Sequence, residues 1–199
     1  IFATNMRIRD EQKEITIREQ AVKMIVAEGL TGMSMQKLAK AAKVSPATLY
    51  IYFKHREDLI NQLYFSAFKS FSDYSLRDFD PKMPFVEGMW QQWKNRAAFI
   101  LERPDDFLFM EQIRNSPLIQ SPEVEVSEFK ESMHQFLVNH VKLGSVKPIE
   151  PEIFWAIAYG SFYTLVKFHL SGKSMMGRRF ELNEERMKKA FDLMIKSFS

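Results

Sequence analysis

Apolar residues in this chain recur at three- and four-residue intervals and rarely alternate with polar ones. That period predicts helices throughout and an all-α fold of about nine of them. A first helix is expected over roughly 7–28, where Ile15, Val22, Ile25 and Val26 are spaced for one buried face and Gly29 ends the run. Short helices follow at 35–42 and 46–53, then a longer one over 56–75 that carries Leu59, Leu63 and Phe68. The stretch Asp80-Pro81-Lys82-Met83-Pro84 breaks the pattern and reads as a loop into a larger helical domain. Within that domain helices are expected at 85–102, 105–115, 122–143, 151–171 and 183–198. Pro104, Pro117, Gly144, Pro148, Gly172 and Gly177 punctuate them.

The segment from Ser34 to Phe53 carries the most specific local chemistry. Ser34 is a good N-cap for a helix whose Leu38, Ala39 and Ala42 face inward. Lys43 and Val44 form a short turn, and Ser45-Pro46 restarts the chain with a cap followed by proline at the first helical position. Two short helices joined by a tight turn, with small alanines where they cross, make a helix-turn-helix. The second helix of such a unit enters the major groove of DNA with its N-terminal residues against the base edges. Leu49 and Phe53, four apart, should anchor this helix, leaving Ala47, Thr48, Tyr50 and Tyr52 on the other face. Alanine and threonine suit thymine methyls, and hydroxyls reach base edges or phosphates.

Charge adds a polyanion to that picture. The net charge of +3 conceals ten Lys/Arg against five Asp/Glu in residues 1–56, and no acid stands between Glu28 and Glu57. An acid-free basic block neutralises phosphates and gains from counterion release. Lys37 sits in the first turn of its helix, where the dipole disfavours a cation, and a phosphate there would relieve the conflict.

At this point a resemblance becomes specific. Gly29-Leu30, Ser34, Leu38-Ala39, Val44-Ser45, Leu49-Tyr50, Tyr52-Phe53-Lys54 and Glu57-Asp58-Leu59 together resemble the DNA-binding domain of the TetR family of repressors, over about residues 10–65. The resemblance implies a DNA-binding domain over 6–54 and an effector-binding and dimerisation domain over 55–199. It implies a homodimeric repressor, released from a palindromic double-stranded operator by a small-molecule effector. Carried onto this chain, the family's DNA-contact positions are Ser34, Gln36, Lys37, Ser45, Ala47, Thr48, Tyr50, Tyr52, Lys54 and Arg56. Two positions depart from the family pattern: Ile51 stands where several relatives have an aromatic phosphate contact, and Tyr52 where histidine is common.

The second domain holds two apolar stripes. Ala156, Gly160 and Thr164 are small residues four apart, and a mid-helix glycine costs about 1 kcal/mol, which close approach of another helix would offset. Met187, Phe191, Met194, Ile195 and Phe198 line one face of the last helix. In the resembling family the last two helices pair with their symmetry mates, so Ala156, Gly160, Thr164, Phe191, Met194 and Phe198 are the candidate dimer interface. Pattern alone is equally met by packing inside one subunit. For the effector, Trp90, Trp93, Phe107, Met110, Phe136, Tyr159 and Tyr163 are aromatic or apolar candidates with a few polar tips, suited to a hydrophobic or aromatic inducer.

The remaining composition narrows the class. The absence of Cys excludes disulfides and thiolate metal sites and suits a reducing cytoplasm; no apolar run is long enough for a membrane span. The four histidines lack metalloprotease spacing, and no phosphate-binding glycine loop or nucleophile elbow is present, so neither an enzyme nor a metal or other cofactor is expected. Two other readings stand beside repression. One is an activator of the same family, and the other is a helical interaction module whose basic block is incidental.

Overall fold

A computed structural model describes residues 2–114, 116–119 and 127–198, with side chains from residue 11 onward. Among the described residues there are nine α-helices and no strand beyond an isolated bridge between Lys173 and Arg179. They are α1 (Phe2–Gly32), α2 (Met35–Ala41), α3 (Pro46–Tyr52), α4 (Arg56–Ser75), α5 (Phe85–Glu102), α6 (Pro104–Ile113), α7 (Glu128–Lys142), α8 (Pro151–Ser171) and α9 (Glu184–Ile195). A 3-10 turn, Lys196–Phe198, follows α9. The all-α architecture is the one the hydrophobic period predicts. The predicted helix over 122–143 begins partly outside the described residues.

The chain packs as two units. The first comprises Ile1–Ser70 and Arg103–Glu125, the second Phe71–Glu102 and Val126–Ser199. Packing thus groups α6 and most of α4 with α1–α3, whereas the sequence reading divides the chain at 54/55.

In the first unit α1 buries Ile17, Ala21, Val22 and Ile25, while Ile15 stands 47% exposed. The inward face is therefore set by the 17–21–25 repeat, and Ile15, two residues before Ile17, is turned about 200° away from it. Gly29 adopts φ +74, which breaks the helix as expected, although a further helical turn runs to Gly32. Arg56 closes that end by donating from Nε to the Met33 carbonyl at 3.2 Å and from its terminal nitrogen to the Leu30 carbonyl. On the other side of α1, Gln112 of α6 donates to the Val26 carbonyl at 3.0 Å.

The second unit is built around Trp93. Its indole is fully buried, donates to the Ala158 carbonyl at 3.0 Å, and meets the rings of Phe162 and Phe191 at 5.1 and 5.4 Å. Gly88 lets α5 approach α7: a Cβ there would lie 2.5 Å from the Phe136 ring. Gln92 and Asn95 of α5 donate to the Ser75 carbonyl at 2.7 and 3.1 Å, satisfying an end of α4 that helical bonding leaves open.

The turn between α2 and α3 is a Schellman motif. Val44 N–H donates to the Ala39 carbonyl at 3.0 Å and Lys43 N–H to the Lys40 carbonyl at 3.2 Å. Lys43 takes φ +55, where glycine is usual and an L side chain costs about 1–2 kcal/mol. Lys43→Gly is therefore expected to raise unfolding free energy by about 0.5–1 kcal/mol, part of the relief being offset by the greater unfolded-state freedom of glycine. Chemical denaturation checks this; a loss of stability would show that Lys43 contributes contacts outweighing its backbone strain.

Candidate nucleic-acid interface

Seven residues make a helix too short to persist alone, so α3 is shaped by its ends and its back. At its start Ser45 Oγ accepts from Thr48 N–H at 3.1 Å and lies 2.8 Å from Thr48 Oγ1. Pro46 follows as the first helical residue, where no N–H is needed. Ser34 caps α2 in the same way, its Oγ accepting from Lys37 N–H at 3.2 Å. Leu49 and Phe53 are 0% and 1% exposed and hold the back of α3 in the core, with the Arg18 guanidinium 5.2 Å from the Phe53 ring.

A hydrogen-bond chain sets the far end. Arg18 donates to Gln62 Oε1 at 2.8 Å, and Gln62 Nε2 donates to Asp58 Oδ1 at 3.2 Å. Asp58 Oδ2 accepts the Lys54 backbone N–H at 2.7 Å. The Lys54 N–H holds the Asp58 carboxyl below its usual value of 3.8, aided by Gln62 and by the charges of His55 and Lys54, against a smaller opposing effect of burial.

What α3 leaves outward is a compact mixed surface. Ser45, Ala47, Tyr50 and Ile51 are exposed, Tyr50 at 54% and Ile51 at 77%, while Thr48 and Tyr52 are half-buried. Gln36 and Lys54 are also exposed, the Lys54 charge lying near enough to the Asp58 carboxylate to favour its ionised form. Two predicted contacts are engaged internally. The Lys37 ammonium turns back to Glu28 Oε2 and the Gly32 carbonyl, each at 3.0 Å, so a cation at a helix start is accommodated without a phosphate. Arg56 is committed to the carbonyls at the end of α1. Ile51, absent from the predicted contacts, is the most exposed large apolar side chain of α3. Its position two residues after Leu49, off the Leu49–Phe53 face, was the available signal.

The candidate effector and interface residues divide between places. Phe107 and Met110 are buried in the first unit; Trp90, Trp93, Phe136, Tyr159 and Tyr163 belong to the second. There Trp90 meets Phe191 at 4.9 Å, and Tyr159 lies 6.4 Å from Tyr163. None of the seven lines the open apolar groove of about 370 Å³ between Lys94, Ala98, Leu101, Val166, His169 and Met187. Of the interface candidates, Ala156, Gly160 and Thr164 lie exposed along α8 with nothing within 4 Å of a Cβ at Gly160. Phe191, Met194 and Phe198 are instead buried in the unit's own core. Ile153, Ile157 and, on α9, Leu193 are exposed apolar residues that the pattern of small residues did not single out.

The family model described as "Bacterial regulatory proteins, tetR family" matches residues 17–63, which contain α2, α3 and their capping residues. An uncharacterised HTH-type transcriptional regulator of Haemophilus influenzae is 37% identical over 95 residues, covering 48% of this chain and 51% of that protein. The chain thus spans about half the length of that relative. A crystal structure of a TetR family transcription regulator from Marinobacter aquaeolei superposes with a TM-score of 0.78 at 28% identity, over 96% of this chain and 97% of that one. A TetR-family transcriptional regulator from Haemophilus influenzae, at 23% identity, shares the fold with a TM-score of 0.74 over 94% and 96% of the two chains. Among the described residues no helix is long and apolar enough to cross a membrane.

Because Asp58 is depressed in the folded state, its contribution is fully present above the unfolded carboxylate value and is lost as pH falls through the lower folded value. Asp58→Asn should therefore lower the melting temperature at neutral pH, and the difference from wild type should shrink below about pH 4. Melting curves that stay parallel down to acid pH would mean that the carboxylate is not what holds the α3–α4 turn.

Proposed function

We propose that the chain is a member of the TetR family of bacterial regulatory proteins and a sequence-specific DNA-binding transcriptional regulator, acting as a homodimeric repressor on a palindromic operator. The observation that carries this reading is the exposure of Ser45, Ala47, Tyr50 and Ile51 on a helix whose Leu49 and Phe53 are locked in the core. Residues 6–54 are the DNA-reading domain. Thr48, oriented by Ser45, and Tyr50 reach base edges or phosphates, Ala47 and Ile51 offer methyls to thymine, and Lys54 neutralises a phosphate. Ser34, Gln36 and Tyr52 contact the backbone around the recognition helix. Lys37 and Arg56 act chiefly by shaping α2 and the end of α1.

The dimer forms through the outer face of α8. Ile153, Ile157, Gly160 and Thr164 recur at helical spacing and stand exposed, and the open space at Gly160 fits a second helix at close range. Phe191, Met194 and Phe198 support that face from inside. The effector is a small apolar molecule held in 55–199, and its binding releases the operator.

Fluorescence anisotropy with DNA from the region upstream of the protein's own gene tests the reading. Specific binding should weaken about 5- to 100-fold in Tyr50→Ala, with the melting temperature unchanged. Lys54→Ala should weaken specific and random DNA alike and lower the slope of log affinity against log salt by about one. Equal affinity for upstream and random DNA would overturn the proposal. A monomer by sedimentation at micromolar concentration would overturn the dimer.

A further inference from the structure

Among the described residues of the second unit, Arg96 of α5 is the only fully charged side chain that is buried, at 3% exposure. A buried cation is costly unless paired and hydrogen-bonded, and among the described residues no carboxylate pairs with this one. Of its five N–H donors, one is used at 2.7 Å on Tyr163 Oη and another reaches Gln92 Oε1 only at 3.5 Å. Nε has no acceptor. The charge is instead surrounded by ring faces: Tyr159 at 4.0 Å, Phe71 at 5.1 Å, Phe129 at 5.2 Å and Trp155 at 5.8 Å. Such faces attract a cation but accept no conventional hydrogen bond.

A second polar group beside it is also short of an acceptor. The Tyr159 hydroxyl is buried against the Arg96 guanidinium, and its own O–H finds no acceptor among the described residues. Burial pushes its pKa up to about 12, so at neutral pH it is a phenol able to donate rather than a phenolate able to pair with Arg96. Among the described residues, one positive charge without a carboxylate and two donors without an acceptor therefore lie side by side among aromatic rings. A charge-assisted acceptor is the group that meets all three deficits, and carboxylate is the one that arginine holds best through two oxygens.

We propose that Arg96 and Tyr159 are the anchor of a ligand site in the second unit that takes a monocarboxylic acid with an apolar body. The carboxylate accepts from Arg96 Nε and Tyr159 Oη, and the body lies among the rings of Phe71, Phe129 and Trp155. A single negative charge neutralises Arg96; a dianion would bury a surplus charge. Half-exposed Trp155, stacked on Tyr159 with centroids 5.0 Å apart, and half-exposed Tyr163 border the enclosure where it meets solvent. This deepens the sensor reading and rests on it only for the consequence at DNA, because binding itself is measured without DNA.

Isothermal calorimetry and thermal shift on the intact chain, with benzoate, octanoate and decanoate each set against its primary amide, test the site. At least one acid should bind ten or more times tighter than its amide. Arg96→Met should weaken that acid roughly 10- to 100-fold, the range expected for a charge-assisted hydrogen bond. Tyr159→Phe keeps the ring over Arg96 and removes only the hydroxyl, so it should weaken the acid several-fold while the ligand-free melting temperature stays within a degree or two. This variant also carries the test should Arg96→Met fail to fold. The proposal is overturned if no acid binds, if acid and amide bind alike, or if Tyr159→Phe binds as wild type does. It is equally overturned if Ala98→Trp, which fills the open groove, abolishes binding while Arg96→Met leaves it intact. An acid that binds through Arg96 yet leaves affinity for operator DNA unchanged upholds the site and counts against the sensor reading alone.

Discussion

A seven-residue helix has no stability of its own in water, and the orientation of α3 depends on burying Leu49 and Phe53. Each side chain contributes about 1.5–3 kcal/mol on full burial, far more than the propensity of so short a segment. Everything around α3 serves that contact. The Schellman turn at Lys43–Val44 brings the chain in, the Ser45 cap satisfies the first free N–H, and Asp58 catches the Lys54 N–H on the way out. Arg18 ties α1 to Gln62 and lies beside the Phe53 ring, so the longest described helix braces one of the two shortest. With the back and both ends held, Tyr50 and Ile51 project outward from a fixed helix, which is preorganisation for the proposed recognition surface.

The second unit applies a different constraint. Its core is rich in aromatic rings, and each polar group placed in it needs a partner. Trp93 finds one in the Ala158 carbonyl, and Gln92 and Asn95 find the end of α4. Arg96 and Tyr159 do so only in part. Residues three and four apart on the same helix, and of similar burial, thus differ sharply in satisfaction. Ser75 Oγ and His140 Nδ1 are also buried without a partner, but at Arg96 and Tyr159 a cation and a phenol fall short side by side, which marks that place as distinct from the rest of the packing.

Lys37 illustrates how a local rule can be met from within the protein. A cation in the first turn of a helix does call for a negative group nearby. That group is supplied by Glu28, nine residues earlier, and by the Gly32 carbonyl. Linear distance hides the pair, because the broken end of α1 at Gly29 brings its last turn back toward α2. Arg56 is the parallel case: a basic residue in an acid-free block whose donors are used on main-chain carbonyls of the α1 end.

The helices themselves were legible in the sequence because their signals are local. Ser34, Ser45 and Pro46 act within three residues, Gly29 acts on its own φ, and Leu49 and Phe53 share a face at a spacing of four. The candidate DNA-reading surface follows from the same short-range geometry, which is why it could be outlined before any tertiary structure. The tertiary structure alone decided which apolar stripes are core and which are open. Phe191 and Met194 carry the same amphipathic signal as an interface residue, yet Trp90 and Trp93 meet the Phe191 ring and α9 faces inward there, while Ile153 and Ile157 on α8 face out. Burial depends on which element arrives from far along the chain, and periodicity contains no information about that. For the same reason the isolation of Arg96 was invisible in the sequence: a charge is known to be unpaired only when every neighbour has been placed around it.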